Sequence, residues 1–371
     1  MVDRRRNHRR AAGHPTGGAG RQTAVGSDRT ALTHTVARWK ERLRDNPGDP
    51  EAVYELGVAY CELGLPRDGL PLLQQAAKQA PHNVEALGAL AECFVNVHAP
   101  DKALAVYKQA LKLSPDSTPM LFRAAVLSSG LGKIDSAIAL YERVVKLEPR
   151  NPSAQSNLGN ALTRMGRTGE AIRRLRRAIS LNPTKAIYHY NLGKALEETL
   201  DLTGAEQAYR EAIRLDPEFP EASWSLAQLR WLQGDLQGAW RYYERRLFRR
   251  GFQRRPEIFS KRAWQGEPFP DKTLLTYAEQ GHGDSIQFVR YVDQAKARGG
   301  RVIVECQPNL VRLFQSLEHV DQVFGRGDPL PPFDLQCSIM SFPVIFGTES
   351  MTIPARIPYL FARPARADEL P

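Results

Sequence analysis

Residues 151–217 read NPSAQSNLGNALTRMGRTGEAIRRLRRAISLNPTKAIYHYNLGKALEETLDLTGAEQAYREAIRLDP, and this stretch repeats one pattern with a period of about 34 residues. Leu158-Gly159 returns as Leu192-Gly193, and Ala171 returns as Ala205. Outward from this stretch, prolines stand at positions 47, 81, 115, 149, 183 and 217, evenly spaced at the same period. A fixed period of this length indicates one helix-turn-helix unit repeated along the chain. The sequence therefore predicts a stack of helix pairs over most of its length.

Small and large residues occupy fixed positions in each predicted unit. The first helix carries a leucine followed by a small residue, at Leu56-Gly57, Leu90-Ala91, Leu158-Gly159, Leu192-Gly193 and Leu226-Ala227. The second helix carries an alanine, at Ala103, Ala137, Ala171, Ala205 and Ala239, and a tyrosine, at Tyr107, Tyr141, Tyr209 and Tyr243. Small residues let two helices approach, and large residues fill the gap to the next unit. The pattern resembles the tetratricopeptide repeat (TPR) family, which implies a mainly α-helical superhelix with a concave face that binds a protein or peptide.

The period also sets the boundaries of the predicted array, which covers residues 31–250. Residues 31–47 are predicted to form one amphipathic helix that caps the array, since the helix ends at Pro47, the first of the prolines spaced 34 residues apart. Six repeats follow at about 50–83, 84–117, 118–151, 152–185, 186–219 and 220–250.

The concave face of such an array is formed mainly by the first helix of each repeat. We expect Asn157 and Asn160 in the fourth repeat, and Asn191 and Lys194 in the fifth, to point into it. An asparagine side chain carries a hydrogen-bond donor and an acceptor, so it can bind a peptide backbone whatever the side chains of the peptide are. NLGNAL and NLGKAL resemble the asparagine ladder of O-linked N-acetylglucosamine transferases, which implies a peptide groove. The ladder is broken elsewhere, at Glu55, Ala89, Arg123 and Ser225.

Composition places the chain among soluble globular proteins with room for two or three domains, because 42% of its 371 residues are hydrophobic and 25% are charged. The four cysteines form no C-x-x-C pair and the eight histidines show no H-E-x-x-H spacing, so we predict no metal site and no cofactor. No apolar run approaches the roughly 18 residues of a membrane span, and no signal-peptide core follows the first residues. These features predict a cytoplasmic protein.

Arginine-rich segments contribute much of the formal net charge of +10. Residues 1–30 hold seven arginines, two aspartates and almost nothing large and apolar, so we expect a disordered basic tail. Two further clusters lie at 173–177 and 245–255. These clusters are either solvated charged faces or sites for nucleic acid or another anionic surface. The tail has no aromatic residue for base stacking, which makes nucleic acid the least favoured partner.

The helical period stops after residue 250. Residues 251–271 contain three prolines and exposed charges, which predict a linker. In residues 272–371, short apolar runs at 273–277, 301–306, 320–324 and 333–340 alternate with predicted helices. This alternation indicates parallel strands in a partial Rossmann-like α/β domain. Ligands of such sheets bind at the carboxyl ends of strands, where the loop 278–285 and Glu305 lie.

Two interpretations of the loop Gly281-His282-Gly283-Asp284 remain open. In the first it is part of a dinucleotide fingerprint, G-x-G-x-x-G, with Glu305 as the acid that binds a ribose, although Ile286 replaces the third glycine. In the second, backbone N–H groups and the Asp284 carboxylate meet a ligand at a helix N-terminus, where an aspartate also serves as an N-cap.

The same loop carries a second resemblance. The motif E-Q-G-x-G-D-x-I-Q-F is matched by Glu279, Gln280, Gly281, Gly283, Asp284, Ile286, Gln287 and Phe288. The domain is similar to family-9 glycosyltransferases of the heptosyltransferase type, which implies a GT-B architecture of two Rossmann-like halves. The resemblance implies that Asp284 is the general base that deprotonates an acceptor hydroxyl. The candidate ligand-binding residues beside it are Glu279, Gln280, Gly281, Gly283, Gln287 and Glu305.

Residues 272–371 correspond to the first half of such an enzyme, whereas the family binds its nucleotide-sugar donor largely in the second half. We therefore expect a protein-interaction scaffold with a glycosyltransferase-derived domain that is inactive as it stands. One alternative is a glycosyltransferase acting on a protein or glycan acceptor, which would bind a nucleotide sugar only with a second half supplied. The other alternative is a binder of nucleic acid or an anionic surface through the arginine clusters.

Overall fold

The computed structural model describes residues 21–248, 255–279 and 281–361, with side chains from residue 30 onward. Within these ranges the chain is mainly helical and also contains a small parallel sheet. The chain divides between Leu181 and Asn182 into two compact units.

In the first unit one helix precedes four helix pairs. The helices are α1 (Arg21–Asp45), α2 (Pro50–Glu62), α3 (Pro66–Gln79), α4 (Val84–Asn96), α5 (Pro100–Leu113), α6 (Thr118–Gly130), α7 (Ile134–Leu147), α8 (Pro152–Arg164) and α9 (Thr168–Leu181). Each pair from α2 onward lies within the bounds of one predicted repeat.

Helix α1 differs from the prediction at its start. It begins at Arg21, ahead of the predicted start at residue 31, so the end of the predicted tail is helical. Residues 21–30 contain no proline, and a helix that is anchored further along can extend backward through them. The anchor is Val36 and Trp39, which are buried in one cluster with Leu56 of α2. The rest of the predicted tail, residues 1–20, lies outside the described residues.

The two helices of a repeat are in contact at the small and large positions predicted from the repeat pattern. A Cβ atom on Gly57 of α2 would lie 2.8 Å from Leu73 Cγ on α3, and one on Gly159 of α8 would lie 2.6 Å from Leu175 Cγ on α9. Both glycines therefore stand where two helices approach too closely for a larger residue to fit without a shift of the packing. The small position of the first helix is thus matched to a large position of the second helix in the same repeat.

The second unit contains two more helix pairs and the sheet. Its helices are α10 (Ala186–Glu198), α11 (Leu202–Leu215), α12 (Pro220–Leu232), α13 (Leu236–Tyr243), α14 (Pro256–Phe259), α15 (His282–Phe288), α16 (Val292–Lys296), α17 (Val311–Phe314) and α18 (Phe342–Ile345). Its strands are β1 (Arg262–Ala263), β2 (Thr273–Tyr277), β3 (Arg301–Cys306), β4 (Gln322–Gly325) and β5 (Leu335–Ser338). A 3₁₀ turn, Glu244–Phe248, continues directly from α13.

The five strands lie in the order β1-β5-β2-β3-β4, and every neighbouring pair is parallel. The chain moves from β2 to β3 and β4 on one side, then returns to place β5 on the other side of β2. This reversal makes the carboxyl ends of β2 and β5 the switch point of the sheet, the usual place for a ligand in an open α/β sheet.

Residues 255–271, predicted as part of a linker, are packed against the sheet. They include β1, and the side chains of Trp264 and Phe269 are each 1% exposed. Proline and glycine content suggested a linker, but two large aromatic side chains stabilise the segment by burial. The same hydrophobic cluster also contains Ala227 of α12 and Tyr243 of α13, so the last helix pair and the sheet share one core.

Candidate functional site

A pocket of about 400 Å³ opens in the second unit, between the last helix pair and the helix that follows β2. Its walls are mostly apolar, and six of the side chains that line it are aromatic: Trp224, Trp231, Trp240, Tyr243, Phe288 and Tyr291. Four polar side chains also line it, namely Asp284, Gln287, Arg290 and Thr348. A pocket of this size with apolar walls and few polar groups is the usual form of a small-ligand site.

Helical spacing brings the aromatic side chains to the pocket. Trp224 and Trp231 lie two turns apart on α12, and Trp240 and Tyr243 lie one turn apart on α13, so each pair shares a helix face. The Trp231 and Trp240 ring centroids are 5.0 Å apart with the rings at 70°. This edge-to-face geometry is the preferred one for aromatic pairs, and it stiffens the wall.

Asp284 lies in the first turn of α15 and is partly buried at the pocket wall. Within the described part of the chain, its carboxylate has no hydrogen-bond or ion-pair partner. Asp284 is not the N-cap of this helix, because Gly281 holds the cap position. The role of Asp284 as a general base stays a proposal.

The glycines of the loop are not required by the local packing. The φ angle of Gly281 is −66°, and neither Gly281 nor Gly283 is among the glycines with positive φ. A Cβ atom on Gly283 would meet nothing within 4 Å. A dinucleotide fingerprint uses glycine where the backbone turns tightly or approaches a helix closely. Neither condition is seen at Gly281 or Gly283, so the local geometry does not support the fingerprint interpretation.

Glu279, predicted to bind a ligand, is paired inside the protein. Arg246, which is 3% exposed, donates from Nε to Glu279 Oε2 at 3.1 Å and from Nη2 to Glu279 Oε1 at 2.6 Å. Arg246 also contacts Glu244 Oε1 at 2.5 Å and Ser341 Oγ at 3.0 Å. Burial opposes the charge on Arg246, but the two carboxylates outweigh it and raise the pKa of the guanidinium. This network occupies the switch point between β2 and β5.

Glu305, the other predicted acid, is also paired. It is 1% exposed at the end of β3, and both of its oxygens accept from Arg255, one of them at 2.6 Å from Nη1. Neither Glu279 nor Glu305 lines the pocket, so the structure separates them from Asp284 and Gln287, which do. Gln280 lies outside the described residues. Sequence spacing alone gave no sign of these pairings, because both arginines come from the segment before the sheet.

Two of the four residues predicted for a peptide groove make contacts inside the repeats. The hydroxyl of Tyr141 is hydrogen-bonded to the Asn157 side chain, and burial raises the pKa of Tyr141 to about 12. Asn191, expected on an exposed face, is only 8% exposed and has interactions of its own. Asn160 and Lys194 are exposed, as expected, and Lys194 Nζ lies 3.3 Å from Glu197 Oε2. At Asn157 this helix face is therefore partly occupied by an internal contact, with Tyr141 of the preceding helix α7.

The arginine clusters also differ from one another. Arg173, Arg176 and Arg177 are exposed on α9, and none forms a close ion pair with a carboxylate among the described side chains. In the second cluster Arg246 and Arg255 are held by glutamates, and residues 249–254 lie outside the described residues. An anion would therefore compete with internal carboxylates at Arg246 and Arg255.

No group of three or more histidine, cysteine, aspartate or glutamate side chains is arranged to hold a metal ion within the described ranges. In the same ranges, no helix is long and apolar enough to cross a membrane.

Sequence reasoning missed the tryptophans of the pocket. Three of the five tryptophans in the chain, Trp224, Trp231 and Trp240, lie within one repeat, and their concentration was a signal. In a repeat array, large apolar residues are expected to fill gaps between units, so the pattern gave no reason to assign them to a ligand site.

Three family descriptions match the helical part of the sequence. One, described as TPR repeat, matches residues 131–166 and 159–199, and two described as tetratricopeptide repeat match residues 190–251 and 64–125. These helix pairs are tetratricopeptide repeats. The matches and the packing of small against large residues confirm the TPR assignment from the sequence.

Several solved structures are similar to the chain at low identity. A form of MamA from Desulfovibrio magneticus RS-1, residues 41 to the end, is 20% identical over 43% of this chain and 91% of its own, with a TM-score of 0.41. YrrB, described as a TPR protein with an unusual peptide-binding site, is 16% identical over 50% of this chain and 95% of its own, with a TM-score of 0.45. PilF from Pseudomonas aeruginosa is 19% identical over 53% of this chain and 90% of its own, with a TM-score of 0.45. No curated protein matches the sequence.

Proposed function

We propose that the chain is a protein-interaction scaffold in which the TPR helices hold a partner. The observation that carries this proposal is a set of exposed side chains at one position of the first helix in successive repeats. In the first unit, Val126 is 41% exposed and Asn160 is exposed. In the second unit, Lys194 and Gln228 are exposed at the same position of their repeats. Exposed apolar and amide groups at a regular spacing suit an extended peptide.

Peptide binding is tested by selecting binders from a phage-displayed random peptide library on the immobilised full chain, then measuring their affinities. The double variant Val126→Ala/Asn160→Ala should lose at least about tenfold in affinity, the equivalent of about 1.4 kcal/mol. Lys146→Ala removes an exposed lysine from α7, the second helix of its pair, and should leave affinity unchanged.

The second unit is tested separately with Lys194→Ala/Gln228→Ala. A loss of affinity for this variant alone would place the peptide on the second unit. Wild-type affinity for both double variants would show that peptides do not use this position of the repeats, and the scaffold proposal would lose its supporting observation.

We further propose that the sheet domain is derived from a GT-B glycosyltransferase and does not itself transfer sugar. The support is the state of the predicted ligand-binding carboxylates, since Glu279 and Glu305 are 4% and 1% exposed as side chains and are both paired with arginines. A ligand at the switch point would have to displace Arg246, which would leave buried carboxylates without a partner. Catalysis of glycosyl transfer depends on groups that are positioned and free to meet the reacting atoms.

The second candidate function is a glycosyltransferase with Asp284 as the acceptor base. It is favoured by one observation, that the Asp284 carboxylate faces a pocket and has no partner within the described residues. Calorimetry with UDP-, GDP- and ADP-sugars separates the two proposals. We expect no binding and no release of nucleoside diphosphate. Micromolar binding that Asp284→Asn abolishes would instead support the enzyme.

A further inference from the structure

The aromatic walls of the pocket stand nearly perpendicular to one another. The Trp240 ring makes an angle of 87° with Phe288 and of 80° with Tyr243, at centroid distances of 5.6 and 5.7 Å. Trp231 is at 70° to Trp240, so the rings that line the pocket differ in orientation, and the Arg246 guanidinium already lies 4.5 Å from the centroid of the Tyr243 ring. The face of an aromatic ring carries partial negative charge, so such walls attract a cation that can shed its water.

Two charged groups line the pocket. Arg290 and Asp284 both line it and have opposite charges. Behind the wall, the single positive charge of Arg246 faces the negative charges of Glu244 and Glu279. The pocket lining itself therefore carries one carboxylate and one guanidinium, and behind it the two glutamates offset Arg246.

Arg290 is engaged away from Asp284. Its guanidinium is stacked 4.4 Å above the Tyr359 ring and donates to the Pro354 carbonyl at 3.2 Å. It forms no ion pair with Asp284 among the described side chains, so the Asp284 carboxylate keeps its charge available to the pocket.

We propose that this pocket binds a small alkylammonium ion, with its methyl groups against the rings and Asp284 balancing its charge. A quaternary ammonium is weakly hydrated and apolar at its surface, so it enters an aromatic pocket at a smaller desolvation cost than a primary ammonium. The cavity of about 400 Å³ accommodates the ammonium head together with a short polar chain. The Gln287 side chain, exposed at the same wall, is placed to hydrogen-bond such a chain.

This assignment goes beyond the proposed scaffold function and does not depend on it. A neutral sugar would also stack on tryptophan and donate a hydroxyl to Asp284, but it would gain no Coulombic attraction from the carboxylate. An anion would be repelled by the Asp284 carboxylate. The distinction between a cation and a neutral ligand of equal shape is therefore the decisive one.

The test is a titration of the full chain with choline chloride at constant ionic strength, followed by tryptophan fluorescence and calorimetry. The matched ligand is 3,3-dimethylbutan-1-ol, which has the shape of choline and no charge. We expect saturable binding of choline and binding of the neutral ligand at least about tenfold weaker. Asp284→Asn should reduce choline affinity about tenfold and leave the neutral ligand unaffected.

Two controls keep the result specific to the pocket. Asp293→Asn removes a carboxylate on α16 that does not line the pocket, and it should leave choline affinity unchanged. Trp240→Phe keeps an aromatic ring, whereas Trp240→Leu removes it. Choline affinity should therefore be highest for the wild type, lower for Trp240→Phe and lowest for Trp240→Leu. Near-ultraviolet circular dichroism checks that both variants are folded. Equal affinity for choline and its neutral analogue, no effect of Asp284→Asn, or preferential binding of methyl β-glucoside would overturn the assignment.

Discussion

The backbone of Gly193 lies against the ring of Tyr209, so close that a Cβ atom on Gly193 would stand 2.4 Å from Tyr209 Cε1. Tyr209 is completely buried, so its ring cannot move aside freely. We expect Gly193→Ala to destabilise the protein by about 1–3 kcal/mol through overpacking. Gly169→Ala, on α9, is the matched control, because a Cβ atom at this position would have no neighbouring atom within 4 Å. Thermal unfolding followed by circular dichroism should show a lower midpoint for the first variant only.

Leu200 and Gly166 occupy equivalent turns of consecutive repeats, with positive φ angles of 59° and 74°. Leu200 is 81% exposed, so its side chain gains little from burial and carries the strain of a left-handed backbone. Leu200→Gly should therefore stabilise the protein by about 1 kcal/mol. Gly166→Ala should have the opposite effect. A lower unfolding midpoint for Leu200→Gly would contradict the strain argument.

Arg246 holds two carboxylates, of which Glu279 is 4% exposed as a side chain. Arg246→Met leaves these buried or partly buried charges without an ion-pair partner, so we expect a loss of about 3–5 kcal/mol. Adding Glu279→Gln to the same chain should recover part of this loss, because one unpaired charge is removed. Arg245→Met, at the exposed neighbour, should change the urea midpoint little.

Asp49 gives a pH-dependent prediction. Its pKa is lowered mainly by the hydrogen bond from the Ala52 backbone N–H, with burial opposing and Arg42 assisting. Because the folded pKa lies below the unfolded one, this contribution is present above the unfolded pKa and is lost as the pH falls through the folded pKa.

Asp49→Asn keeps a side-chain oxygen for the helix N-cap but removes the charge. The wild type should therefore have the higher unfolding midpoint at about pH 7, and the difference should shrink below about pH 4. A difference that does not depend on pH across this range would show that the charge of Asp49 does not contribute.

Local spacing determined the helical part of this protein. The repeat period, the glycines and alanines at contact positions and the prolines at helix boundaries are all readable without coordinates, because each repeat packs only against its neighbours. The alternation of apolar runs also predicted β2, β3, β4 and β5, since buried parallel strands need continuous apolar residues.

Long-range contacts decided what the sequence could not. Glu279 and Glu305 looked like ligand-binding acids at strand ends, yet Arg246 and Arg255 neutralise them from distant positions in the chain. The pocket beside Asp284 exists only because Trp231 and Trp240, which belong to a repeat, pack beside the helix after β2. The repeat period predicts the contacts that a residue makes within its own repeat and with the adjacent repeats. Which charges are paired and which remain open to a ligand depends on chain segments that only the tertiary structure brings together.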